Sequence, residues 1–152
     1  MWIPRGLLRL VIGGMFNNSL RGTELPSSLQ SLTLGGDFNR SLHDTVLPSG
    51  LQTLTFGMRF DQGLDNTCLP SGLSELTFGE CFNQSLDAVV LPTALRSLTF
   101  GNDFNQDMDN TTLPSGLQSL TFGTGFRHTL EMNGLPVSLR SIHIGGVRIC
   151  RT

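Results

Sequence analysis

The chain is 152 residues long, enough for one domain of ordinary size. Charged residues make up only 14% of it, the formal net charge is −2 and all ten basic residues are Arg, which argues against general nucleic-acid binding. No run approaches the roughly 18 consecutive apolar residues that a membrane-spanning helix needs.

Pro4, Pro26, Pro48, Pro70, Pro92, Pro114 and Pro136 lie 22 residues apart, and no proline falls outside that series. A period this strict identifies one small unit repeated along the whole chain. Counted from the residue before each proline, seven copies begin at Ile3, Leu25, Leu47, Leu69, Leu91, Leu113 and Leu135. They make a single repeat domain, residues 3–152, whose last copy is incomplete.

Within a copy, Pro at position 2 fixes φ and cannot donate to a ladder, so it marks the bend before a strand. Position 1 (Ile3, then Leu at each recurrence) and Leu at position 5 (Leu7 to Leu139) are the first two of six inward positions. Positions 7 to 10, such as Ser97-Leu98-Thr99-Phe100, alternate polar and apolar, which predicts a strand with Leu98 and Phe100 inward and Ser97 and Thr99 outward. Gly at position 11 (Gly13 to Gly145) is expected to take a positive φ where the chain turns. Positions 14 and 18, for example Phe82 and Leu86, point inward together if a short helical or 3₁₀ turn joins them. All ten phenylalanines fall at positions 10 and 14.

One such unit cannot bury its apolar side, but stacked units can. The expected fold is a β-rich solenoid, a right-handed coil of seven repeats with a parallel β-sheet on one face. With strands about 4.8 Å apart, the rod is on the order of 30 Å long. The ends differ from the middle. Val11 stands at an outward strand site beside Leu8, Met15 and Trp2, suggesting an improvised cap or a missing neighbour. In the last copy Arg148 takes the Phe position. Neither end carries the polar cap of a finished solenoid, so a piece of a longer array is expected.

The run Leu76-Thr77-Phe78-Gly79, Phe82-Asn83-Gln84, Leu86 and then Leu91-Pro92 resembles the FNIP repeat, a 22-residue relative of the leucine-rich repeat. The match recurs in copies two to six, with Leu-Pro in place of Ile-Pro, and the last copy loses Phe-Asn-Gln to Arg148-Ile149-Cys150. The resemblance implies a leucine-rich-repeat-like solenoid that serves as an interaction module, with no catalytic residues.

The outward strand face is the candidate partner site: Ser31, Thr33, Thr53, Thr55, Glu75, Thr77, Ser97, Thr99, Ser119 and Thr121, with Arg96 beside it. Repeat proteins bind through such extended surfaces. Any hot spot is expected around Glu75, Arg96 or the variable flanking turns, because the rest is nearly uniform Ser and Thr and lacks aromatic or Arg anchors. The plainer reading is a solvated hydroxyl surface. An alternative of another class is ice binding: the Ser/Thr-x-Thr columns make a lattice of roughly 7 by 4.8 Å that resembles the arrays of ice-binding β-solenoids. The expected partner is another protein, with no nucleic acid and no membrane span.

Other motifs reduce to the repeat. Asp103 to Asp109 imitates an EF-hand start, but Met108 and Pro114 stand where that loop needs Gly and Glu. The position-15 series Asn17, Asn39, Asp61, Asn83 and Asn105 is expected to hydrogen-bond turn backbone from coil to coil. Asn17, Asn39, Asn83 and Asn110 form glycosylation sequons that are by-products of the period. No Cys and His fall at metal-ligand spacing, and no Ser has a neighbouring His–Asp pair, so neither a metal, a cofactor nor an enzyme activity is expected. Cys68, Cys81 and Cys150 occupy three different repeat positions, which fits a reducing compartment; with no leader before Ile3, a cytoplasmic protein is expected.

Overall fold

A computed structural model describes residues 3–130 and 134–150. Trp2, at the first end, and Thr152, the expected limit of the domain, lie outside them. Eight short strands form one sheet in chain order: β1 (Arg9–Val11), β2 (Ser31–Thr33), β3 (Thr53–Thr55), β4 (Glu75–Thr77), β5 (Ser97–Thr99), β6 (Ser119–Phe122), β7 (Ser141–Ile144) and β8 (Val147–Cys150). The first seven pair in parallel with a register of one repeat, so Leu32 meets Leu54 and Thr33 meets Thr55. There is no α-helix among the described residues.

Coils one to five are each a strand closed by three tight corners. The first hydrogen-bonds Leu at position 5 to the proline carbonyl (Leu73 N to Pro70 O, 3.0 Å). In the first three coils the second bonds Phe at position 14 to the glycine carbonyl (Phe38 N to Gly35 O, 3.1 Å). The third bonds position 21 to position 18 (Val89 N to Leu86 O, 2.9 Å). Every corner thus ends on a side chain that can turn inward, and that places the core. Five of the six expected inward positions are buried through the middle coils, including Leu76, Phe78, Phe82 and Leu86, whereas position 1 is buried at Leu47 and Leu91 but only half-buried at Leu69.

The phenylalanines form two columns. Phe16, Phe38, Phe60, Phe82, Phe104 and Phe126 stack at 6.0–6.3 Å between centroids. Phe56, Phe78, Phe100 and Phe122 stack at 5.3–5.4 Å. The columns meet within each coil, as at Phe78–Phe82 (3.8 Å). Burying such rings contributes about 1.5–3 kcal/mol each, which makes the columns the main source of cohesion.

Three expectations are corrected. Positions 14 and 18 are not joined by a helical or 3₁₀ turn; Phe82–Leu86 is irregular chain, and the turning is done by the corners on either side. Of the position-11 glycines only Gly145 has a positive φ. Five of the others are required by a close approach: a Cβ on Gly57 would collide with the carbonyl oxygen of Gly35, and the same clash recurs at Gly35, Gly79, Gly101 and Gly123, while Gly13 in the first coil meets nothing. Finally, the last copy carries a closing strand at its end. Gly145 (φ 55°) and Gly146 (φ 87°) make the two-residue turn of a β-hairpin, and β8 pairs antiparallel with β7. Gly at both turn sites permits that reversal, and Arg148, no longer an inward ring, faces His143 across it.

Position 21 is a further inward site. Thr45, Val89 and Thr111 are buried there, and the Thr111 hydroxyl donates to Asp87 Oδ1 at 2.8 Å. Threonine does not register in a hydropathy pattern, so only Val89 hinted at it.

Candidate interaction face

The strand face follows from the pleat. With Leu at position 8 inward, positions 7 and 9 must point outward, and the parallel register aligns them into columns. Ser31, Thr53, Glu75, Ser97 and Ser119 form one; Thr33, Thr55, Thr77, Thr99 and Thr121 form the other. All are half-buried except Glu75, which is exposed between Thr53 and Ser97. The face ends at His143, which continues the threonine column in β7.

Arg96 is placed differently from the other candidates. Its Nη1 donates to Gly116 O at 3.1 Å and to Thr93 O at 3.4 Å, tying the proline corner of its own coil to that of the next. It forms no ion pair with Glu75; the pairs present among the described residues, such as Arg59–Asp37 at 3.3 Å, lie at the corners. Of Glu75 and Arg96, only Glu75 presents its charge from the strand.

Two margins of the face extend beyond the residues expected from the sequence. Position 6, represented among them only by Arg96, also carries Gln30, Gln52 and Gln118, all exposed and directly before the strand. Its signal in the sequence is long polar side chains that vary where positions 7 and 9 do not. On the other side, position 12 changes from Gly36 to Met58, Glu80, Asn102 and Thr124. Asn102 N and Nδ2 donate to Glu80 Oε2 (3.0 Å) and Oε1 (3.1 Å), and Thr124 N donates to Asn102 Oδ1 (2.9 Å). A shallow depression of about 390 Å³ lies here, between Met58, Thr99 and Asn102.

Behind the second corner runs the amide ladder. Asn39, Asp61, Asn83, Asn105 and Arg127 each donate their backbone N–H to the position-15 side chain one coil earlier, at 2.8–3.0 Å. The next residue reinforces it, with Gln84 Nε2 donating to Asp61 Oδ1 at 2.9 Å. Only the acceptor oxygen is used, which is why Asp61 serves as well as Asn. Arg127 has no acceptor to offer, so the ladder stops there.

No group of three or more potential metal ligands gathers among the described residues. The Cys81 thiol has its pKa raised, first by burial and then by the neighbouring Asp103 carboxylate, so it is the opposite of an activated nucleophile. No helix among the described residues is long and apolar enough to cross a membrane.

The FNIP repeat model matches residues 16–58, 38–81, 82–125 and 104–147. Among solved structures the chain is similar to CroV588, described as a novel circular LRR protein, at 41% identity and a TM-score of 0.85. That likeness covers 93% of this chain but only 21% of the other, so the chain spans about a fifth of its length. No curated protein is found to match the chain.

Proposed function

The chain belongs to the FNIP repeat family, and from that premise we propose that it is a non-catalytic interaction module that engages another protein through its strand face. The observation that supports this reading is the in-register pair of hydroxyl columns, continuous from β2 to β6 and broken by the single carboxylate of Glu75. Half-buried Ser and Thr are held in place by the pleat, so they lose little freedom on binding. Glu75 gives the middle of the face its charge, and Gln52 and Gln118 give its margin reach. Arg96 supports the face from its edge by holding two corners together.

The test is affinity capture from the source cell with three proteins: the wild type, a Glu75→Arg/Thr99→Arg variant on the face, and an Asp65→Arg/Asp109→Arg variant on the third corner. Partners lost from the face variant and retained by the corner variant support the proposal. Retention by the face variant with loss from the corner variant would overturn it. Ice binding is the rival reading; because Glu75 interrupts the lattice, no thermal hysteresis is expected.

A further inference from the structure

The first coil presents an end face unlike any surface of coils two to six. Leu7, Leu10 and Phe16 are half-buried, whereas their equivalents one coil on, Leu29, Leu32 and Phe38, are fully buried. Around them stand Leu8 (54% exposed), Val11 (61%) and Met15 (90%), at positions that carry mainly polar residues in later coils. β1 is an edge strand, so the backbone row facing away from β2 has no strand partner among the described residues.

The contact between coils specifies what fits that face. In the interior, the N–H groups of positions 6 and 7 donate to the position-6 carbonyl of the preceding coil, as Ser74 and Glu75 do to Gln52 O (2.8 and 3.0 Å). Position 13 donates to the preceding position-12 carbonyl (Cys81 N to Met58 O, 2.9 Å), and position 15 to the preceding Asn or Asp. The corresponding donors on the first coil are Leu8, Arg9, Met15 and Asn17. Gly13 adds a steric argument. Gly35 to Gly123 lack a Cβ because the preceding coil occupies its place, but a Cβ on Gly13 would meet nothing within 4 Å. Its φ is not positive either. Neither its conformation nor its surroundings among the described residues call for glycine, whereas a preceding coil would.

We propose that this entry face docks the exit face of one further coil of the same 22-residue type, parallel to β1. The face is one half of a contact that the molecule already makes between its successive coils. A second copy of this chain does not supply the other half. Its exit edge is covered by antiparallel β8, and Arg127 has replaced the last Asn acceptor. The partner coil must instead offer an open position-6 carbonyl, an open position-12 carbonyl and an Asn or Asp at position 15. This inference is independent of the strand-face proposal, since it concerns the end of the rod.

Fusing a copy of residues 69–90 directly ahead of Ile3 in the otherwise full chain presents such a coil at high effective concentration. The amides of Leu8, Arg9, Met15 and Asn17 are then expected to exchange at least about tenfold more slowly, and the thermal midpoint to rise by roughly 4 °C or more. Gly13→Val should leave the midpoint of the unfused chain nearly unchanged and abolish the rise in the fusion. The proposal is overturned if those four amides stay unprotected, or if Gly13→Val is tolerated equally in both. It is also overturned if the unfused chain forms a dimer that Met15→Glu dissociates, since the occupant would then be a second copy.

Discussion

Coils four and seven begin alike and end differently. Both run from Leu-Pro through an inward Leu or Ile into a strand that pairs in parallel with the one before it. After the strand they part. Coil four turns at Gly79, sends Phe82 inward and donates the Asn83 backbone N–H to Asp61 Oδ1. Coil seven has two consecutive glycines at positive φ, no ring at position 14 and no acceptor below it at position 15. The solenoid therefore continues where a coil adds its own ring to the aromatic column and finds a side-chain acceptor on its predecessor. Where both fail, the chain folds back as a hairpin on its own last strand.

The largest effect should come from the column. Phe82→Ala removes a ring stacked on Phe60, Phe78 and Phe104 and is expected to destabilise by about 3–5 kcal/mol in chemical denaturation. Phe126→Ala, which has neighbours on one side only of its column, should cost clearly less; equal costs would contradict the column as the source of cohesion. Next in size is Gly79→Ala, expected to cost about 3 kcal/mol because its Cβ meets the backbone of Gly57. In the hairpin, where a Cβ on Gly146 meets nothing, Gly146→Ala should cost only about 1–2 kcal/mol for its φ. The same denaturation curves decide the order.

The ladder makes a chemical distinction. Asn83→Asp keeps an acceptor for Asn105 N and Gln106 Nε2 and should be nearly neutral, whereas Asn83→Leu should cost about 1 kcal/mol. Loss of stability in both variants would mean that the amide N–H matters too. The smallest expected effect is kinetic. At pH 8 Cys68 and Cys150, both exposed, should be alkylated before Cys81, as mass spectrometry of timed aliquots will show. The raised pKa leaves less Cys81 thiolate at that pH, and the gap should narrow as pH rises through the Cys81 value.

Much of this molecule was legible because one contact set is written six times over. The alternation Ser-Leu-Thr-Phe specifies a strand and its inward side, and the 22-residue proline period specifies where the next one lies. The candidate face was legible for the same reason, down to Glu75 as the odd residue. What was not legible involved residues whose partner lies one coil away. Arg96 reads as a free cation until Gly116 is brought beside it, and Thr111 reads as a turn residue until the third corner turns it inward. The Gln52 and Gln118 margin was missed because position 6 carries no alternation of its own.

The sequence by itself determined the period, the inward residues and the parallel sheet, since these follow from spacing along a single coil. Only the tertiary structure decided why Gly35, Gly57, Gly79, Gly101 and Gly123 must be glycine. Their φ values are not positive; it is the carbonyl of the preceding coil, 22 residues earlier in the chain, that leaves no room for a Cβ. It also decided how the repeat stops, because a hairpin and a further coil compete for the same strand edge. Arg127, Gly145 and Gly146 settle that competition through contacts that either form across coils or are absent.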